Sequence, residues 1–305
     1  MAELSREKFE IVGKSIKESQ AVVRPSMTYW QDAWRRLKAN KLAIASLIIL
    51  GIMIFMSLAG PYMRPYKFDE GDLLLMNQTP SSEYWFGTDE LGRSLFVRCW
   101  VGARISIFIG VVVALLNFTI GVIYGGIAGY LGGNVDNIMM RIVDILFSIP
   151  FLLWVIMLMV VMERGLGTII IAMAIAGWGG TARLVRGQVL QLKEMEFVMA
   201  AKTLGADAKR IILRHLIPNT MGVIIVNLTF AIPTAIFTEA FLSFIGLGIP
   251  VPYASLGSLS RDGIRMLLVH PYQLFFPSLI ISILMLAFNL FGDGLRDALD
   301  PRLRQ

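Results

Sequence analysis

The chain has 305 residues, 56% of them apolar and only 16% charged, against roughly 25% charged in an average soluble domain. That balance excludes a disordered chain, a coiled coil and an ordinary water-soluble enzyme. The formal net charge of +6 does not point to nucleic acid, because the basic residues sort by loop. One cysteine, Cys99, and two histidines rule out an intrachain disulfide framework and argue against a Cys/His metal site.

Residues 1–24 carry mixed charge without a clear period, and Gly13-Lys14-Ser15 is a chance tripeptide. The first glycine of a phosphate-binding loop would fall at Lys8, and no apolar strand precedes it. The segment ends in TYWQDAWRRLKANK. There Trp30, Trp34, Leu37 and Lys41 recur at spacings of four, three and four, which predicts a helix lying at the membrane interface. The domain organisation therefore opens with an N-terminal segment, 1–41.

Long stretches free of Asp, Glu, Lys and Arg then set the spans: Leu42–Met63, Ile105–Val135, Ile145–Met162, Gly165–Ala182, Leu216–Thr238 and Met266–Gly292. Each is long enough to cross about 30 Å of hydrocarbon as a helix. A chain in lipid must pair its own backbone, and continuous apolar runs suit helices rather than the alternating segments of a β-barrel. The fold class is an all-α integral membrane protein with six transmembrane helices. Residues 42–63 are the first of these, and its position behind 41 residues reads as a retained anchor rather than a cleaved leader. Residues 64–104 are an extracytoplasmic segment, 105–292 a five-helix core that includes an inner loop at 183–218, and 293–305 a tail.

With the N-terminus inside, the inner segments carry 20 Lys and Arg against 8 in the outer ones. The positive-inside rule then predicts a multi-pass protein of the inner or plasma membrane with both termini cytoplasmic. Within the second span, Gly121, Gly125, Gly129 and Gly133 recur every four residues, a stripe of small residues that predicts close helix packing against protein. The methionines Met157, Met159 and Met162 read as adaptable apolar filler. His215 and His270 fall on opposite sides of the membrane in this topology and cannot share a metal.

The largest inner connection, RLVRGQVLQLKEMEFVMAAKTLGADAKRIILRHLIP, spans Arg183–Pro218. Apolar Leu184, Val189, Leu192, Met195 and Met199 make its front part helical in pattern. Gly205 breaks the run, and the Ala206-Asp207 pair starts a second short helix, with Asp207 suited to the helix dipole. Ala208, Lys209 and Arg210 follow, and Pro218 is expected to end the unit just before the fifth span.

The stretch MAAKTLGADAKRIILRHLIP resembles the EAA loop of ABC-importer permeases, whose pattern is E-A-A-x3-G-x9-I-x-L-P. Ala200, Ala201, Gly205 and Pro218 fall on its fixed positions, whereas Met199, His215 and Ile217 replace the Glu, first Ile and Leu. WFGTDELGRSLFVRCWVGARIS (Trp85–Ser106), TEAFLSFIGLG (Thr238–Gly248) and FNLFGDGLRDALDPRLR (Phe288–Arg304) are similar to the C-type permease subunit of oligopeptide and dipeptide importers. The resemblance runs from about residue 30 to the C-terminus. It implies a type I ABC-importer permease fold and a non-enzymatic role. A B-type permease would be the partner, with two ATPase subunits that bind ATP and Mg and an extracytoplasmic peptide-binding protein. No cofactor is expected on this chain. In this reading Ala200, Ala201, Gly205, Ala206, Asp207, Ala208, Lys209, Arg210 and Pro218 form the joint to the ATPase.

Glu239 follows the fifth apolar stretch. If the helix continues through Phe244, this carboxylate lies within the membrane region, where an acid usually faces a cavity or a partner. It is the candidate pathway or gate residue. After it, Gly246, Gly248, Pro250 and Pro252 break the helix, and the uncharged stretch that follows dips back against protein. The expected function is half of an alternating-access pathway for oligopeptides. Alternatives are the same machine carrying dipeptides, nickel chelates, glutathione or oligosaccharides, or an ion-driven secondary transporter. That last class expects ionisable relays inside the spans, which the first five lack.

Overall fold

The computed structural model describes residues 28–300, and these are helical apart from connecting turns and one isolated bridge between Thr88 and Ser94. The tripeptide at 13–15, the rest of segment 1–27 and the last five residues of the tail lie outside the described residues. In chain order the helices are α1 (Tyr29–Ala39), α2 (Lys41–Ala59), α3 (Leu95–Leu131), α4 (Gly133–Ser148), α5 (Phe151–Met162), α6 (Leu166–Leu192), α7 (Glu196–Thr203), α8 (Ala208–Ile211), α9 (Ile217–Phe244), α10 (Leu256–Arg265) and α11 (Tyr272–Leu299).

Thr28 opens α1 with a capping box: its hydroxyl accepts from the Gln31 N–H, and the Gln31 side chain reaches back to the Thr28 N–H. Leu37 faces inward and is buried against Ala43 and Ala298, while Trp30 and Trp34 stay half-exposed on the outside. The aromatic residues and Leu37 therefore serve two faces rather than one. Asn40 ends α1 and begins α2, its Oδ1 accepting from the N–H groups of Leu42 and Ala43.

The second apolar span is longer than its uncharged stretch. α3 starts at Leu95, ten residues before Ile105, and its 37 residues extend about 55 Å. Two arginines inside it find partners in neighbouring segments. Arg104 donates from Nε to Ser57 O at 2.9 Å and from Nη2 to Leu58 O at 3.0 Å, a cation on the last carbonyls of α2. Arg98 is covered by segment 64–94, which folds down through an aromatic stack: Phe86 on Phe276 at 3.9 Å and edge-on to Phe96. Gln273 and Tyr272 at the head of α11 donate to the buried backbone at Thr88. Segment 64–104 is therefore packed onto the bundle and ends in a helix.

The glycine stripe meets α6. A Cβ on Gly121 would stand 2.6 Å from Thr181 Cβ, one on Gly125 2.3 Å from Ala182 O, and one on Gly129 2.9 Å from Arg186 O. Without side chains the two backbones can touch, which is how helices gain dispersion contact where lipid offers no hydrophobic contrast. Gly133 does not belong to this set. α3 ends at Leu131, and Gly133 follows the turn with φ +55° and nothing within 4 Å of a Cβ.

The third apolar run does not form one straight span. α4 stops at Ser148, Pro150 caps α5, and the two helices meet at 82°. Proline disfavours helical backbone at the preceding residue, here Ile149. α5 alone has 12 residues, about 18 Å, too short to cross. Among the described residues, five helices are long and apolar enough to span a membrane, and the bent pair makes a sixth passage if counted together. The last helix likewise starts later than expected, at Tyr272, and runs on through Leu299, so most of the expected tail is helical.

α10 folds back onto α9 as the uncharged stretch predicts. Ser255 and Ser258 form its capping box, and Gly257 lies so close to α9 that a Cβ would be 2.2 Å from Ala240 O.

Candidate functional site

The Arg183–Pro218 connection is built in three steps. α6 continues to Leu192, so the front of the loop is the end of a span. A turn at Lys193–Met195 leads into α7, with Glu196 in its first turn and Lys202 in its last, both matched to the helix dipole. α7 then closes in a Schellman motif: the Gly205 N–H donates to Lys202 O at 2.9 Å and the Ala206 N–H to Ala201 O at 3.0 Å. The motif requires a left-handed residue, and Gly205 supplies it at φ +82°. This is the physical content of the Ala200-Ala201-x3-Gly205 spacing.

Asp207 restarts the chain. Its Oδ1 accepts from the Arg210 N–H at 3.1 Å as the N-cap of α8. The short helix does not end before the span. A π-turn at Ile212–Leu216 carries it directly into α9, so the helical run is continuous from Ala208 to Phe244. Pro218 therefore does not end the unit but occupies the first turn of α9. The wide turn just ahead of it accommodates a residue that cannot donate a backbone hydrogen bond.

The knob is fixed from beneath. Val198, Ile211 and Leu216 are fully buried and pack with Val185 and Val189 of α6, Val122 of α3 and Ile224 of α9. Its outer surface is half apolar and half basic. Ala200, Gly205, Asp207, Ala208, Lys209 and Arg210 are exposed, whereas Ala201 is buried and Ala206 is half-buried. Phe197, Leu204 and Leu213 also stand exposed there, Leu204 at 87%. They were not singled out from the sequence, although large apolar residues among charges in a non-spanning segment are a readable signal. Met199, at the family's glutamate position, is half-exposed beside them.

A cavity of about 520 Å³ opens between α3, the α4–α5 bend, α6 and α9. Its polar lining is neutral: Asn117, Thr181, Asn227, Thr234 and Thr238. Thr181 Oγ1 donates to Asn227 Oδ1 at 3.4 Å, and Asn117 Oδ1 is buried without a partner. Amides and hydroxyls in an apolar wall can hydrogen-bond a passing amide without holding a charge.

Glu239 does lie within the continuous α9, as the uninterrupted helix requires. Its surroundings differ from the expectation. It is fully buried and does not line this cavity. Ser106 Oγ donates to its Oε2 and Ser243 Oγ to its Oε1, both at 2.7 Å, so the carboxylate ties α3 to α9 inside the chain's own packing.

These features define a class: a multi-pass helical permease with a rigid projecting knob. The chain belongs to the family described as binding-protein-dependent transport system inner membrane component, whose sequence profile matches residues 120–305. Residues 28–80 match the N-terminal TM domain of oligopeptide transport permease C. The chain is 56% identical to the dipeptide transport system permease protein DppC of Bacillus subtilis (strain 168), over 95% of this chain and 91% of that protein. It is 52% identical to the oligopeptide transport system permease protein OppC of the same organism, over 100% of both chains. At 38% identity it resembles the glutathione transport system permease protein GsiD of Pectobacterium atrosepticum, over 91% of this chain and 92% of that protein. Among solved structures, a chain of the inward-facing MetNI methionine ABC transporter superposes with TM-score 0.54 at 20% identity, covering 65% of this chain and 94% of that one. The fold is that of a type I ABC-importer permease.

Proposed function

We propose that this chain forms half of the membrane pathway of an ATP-driven importer of oligopeptides. A B-type permease would supply the other half. Two ATPase subunits would bind ATP and Mg beneath it, and an extracytoplasmic binding protein would deliver cargo. The distribution of Lys and Arg supports cytoplasmic termini and a cytoplasmic knob. The observation that carries the mechanism is the unbroken helical run from the Asp207 cap through α9. A push on the knob by a closing ATPase is delivered along α9 to the wall of the cavity, so the two openings alternate by tilting packed helices. The neutral lining of the cavity suits peptides of varied side chain, leaving selection to the binding protein.

Full-length similarity to OppC supports oligopeptide cargo, and the higher identity to DppC supports a second reading, dipeptides. Uptake of labelled peptides of graded length by cells lacking and re-expressing the chain separates them. Loss and recovery for peptides of about four or five residues supports the first reading, and for dipeptides alone the second. Isolation of the intact complex tests the class itself: recovery without an ATPase overturns it.

A further inference from the structure

At the end of α3 far from the knob, three segments converge on a small pocket: the start of α3, the α5–α6 turn and the turn between α9 and α10. These are the three segments that the topology proposed above puts outside. The pocket holds about 280 Å³ and is lined by Arg93, Arg98, Arg164 and Arg261, with Asp262 the only acid in its lining. Tyr253 forms part of its wall, stacked on Phe68.

The charges do not balance. Arg93 Nε donates to Asp89 Oδ2 at 2.8 Å, and Arg98 Nε lies 3.3 Å from the same oxygen, so one carboxylate serves two guanidiniums. Arg98 is 2% exposed; its Nη1 donates to Phe68 O, yet its Nε makes no hydrogen bond. Among the described residues Arg261 pairs only with its sequence neighbour Asp262, at 3.4 Å. Arg164 makes no ion pair among the described residues. Glu239 lies behind Ser243 and is already held by two hydroxyls. Four cations thus face two carboxylates; Arg98 is withdrawn from water and Arg93 largely so, where cations demand pairing, whereas Arg261 is half-exposed and Arg164 exposed.

We propose that this pocket is an oxyanion site that takes one carboxylate or phosphate group. Guanidinium forks match the paired oxygens of both groups. The volume is several times the roughly 30 Å³ share of one water molecule, leaving room for the group and a short stem. Two sources carry this chemistry at a membrane surface: the terminal carboxylate common to all free peptides, and the headgroup phosphate of an anionic lipid, which lacks the ammonium that neutralises it in a zwitterionic one. Occupancy adds an anion to this cation-rich cluster and bridges the three converging segments.

The test uses the full-length chain, purified with the subunits that accompany it, in nanodiscs of zwitterionic phosphatidylcholine. Saturation-transfer NMR titrations compare N-acetylalanine with its amide, and inorganic phosphate is scored by its displacement of N-acetylalanine. The acid and phosphate are expected to bind, and the amide about tenfold or more weakly, as loss of a charge-assisted hydrogen bond implies. Arg164→Gln and Arg261→Gln, both at exposed or half-exposed positions, should each weaken acid binding by about tenfold. Equal binding of acid and amide, or binding indifferent to both substitutions, overturns the proposal. Repeating the titration with phosphatidylglycerol in the disc separates the sources. Competition against N-acetylalanine assigns the site to lipid phosphate, and undiminished binding assigns it to a soluble carboxylate. None of these measurements depends on peptide transport, so an importer of other cargo leaves the result interpretable.

Discussion

The guanidinium of Arg186 in α6 closes on the carboxylate of Asp136 in α4, with hydrogen bonds of 2.5 Å from Nε to Oδ1 and 2.6 Å from Nη2 to Oδ2. Asp136 is 7% exposed and Arg186 32%. The pair joins the first arm of the bent helix pair to the helix that leads into the knob. Arg186→Ala leaves a buried carboxylate without its fork and should cost about 1–3 kcal/mol. The double variant with Asp136→Asn should cost less than the sum of the singles, read as thermal inactivation in detergent. Strict additivity would show that the two side chains do not interact.

Gly205 offers a test of the knob that separates backbone from side chain. Nothing lies within 4 Å of a Cβ placed there, and φ is +82°. A bulky residue is therefore penalised by conformation, by about 1–2 kcal/mol, and not by collision. Gly205→Val should uncouple ATP hydrolysis from uptake with normal membrane insertion. Gly205→Asn, which tolerates left-handed backbone, should retain most of the coupling. Full coupled uptake in the valine variant would remove the turn from the mechanism.

Two glycines of the α3–α6 layer should respond in opposite ways. At Gly125 a methyl would strike Ala182 O, a backbone atom that cannot move aside, whereas at Gly187 nothing lies within 4 Å. Gly125→Ala should lower the yield of folded protein severely. Gly187→Ala should be neutral or stabilising by about 0.5–1 kcal/mol through its helix preference. Thermal stability by size-exclusion assay reads both.

Glu239→Gln keeps the shape of the side chain but offers the two serine hydroxyls one acceptor oxygen instead of two. Leaving one donor unmatched in a buried site should cost about 1–3 kcal/mol, seen as a lower melting temperature. Removing that donor as well, by Ser243→Ala in the glutamine background, should restore part of the loss. A melting temperature equal to that of the parent in the single variant would show that the tie contributes nothing.

The helices were legible in the sequence because each long apolar run must satisfy its own backbone in lipid. Their ends were less so. Arg98 and Arg104 made residues 95–104 read as a loop, because nothing local announces that Asp89 and the carbonyls of Phe68, Ser57 and Leu58 wait to receive them. The break before Pro150 was readable from the proline itself, but uniform apolarity on both sides concealed it. The knob was the clearest element, since the Gly205 turn and the Asp207 cap are set by residues a few positions apart. For Glu239, Ser243 one turn away could be anticipated, whereas Ser106 comes from another helix 133 residues distant and no spacing rule reaches that far. The glycine stripe announced a close neighbour without naming α6, because small residues specify proximity and not identity.

The run from Ala208 to Phe244 has 37 residues, about 55 Å of helix. A tilt of about 10° pivoted at one extremity would swing the other by about 10 Å, as the length of such a rod dictates. Motor subunits closing by modest amounts could therefore produce a large excursion at the far rim without any element melting. The five-residue π segment, where the spiral is loosest, becomes the place where stroke would be lost to flexing. The efficiency of the machine would then rest on how firmly Ile211 and Leu216 brace that weak collar.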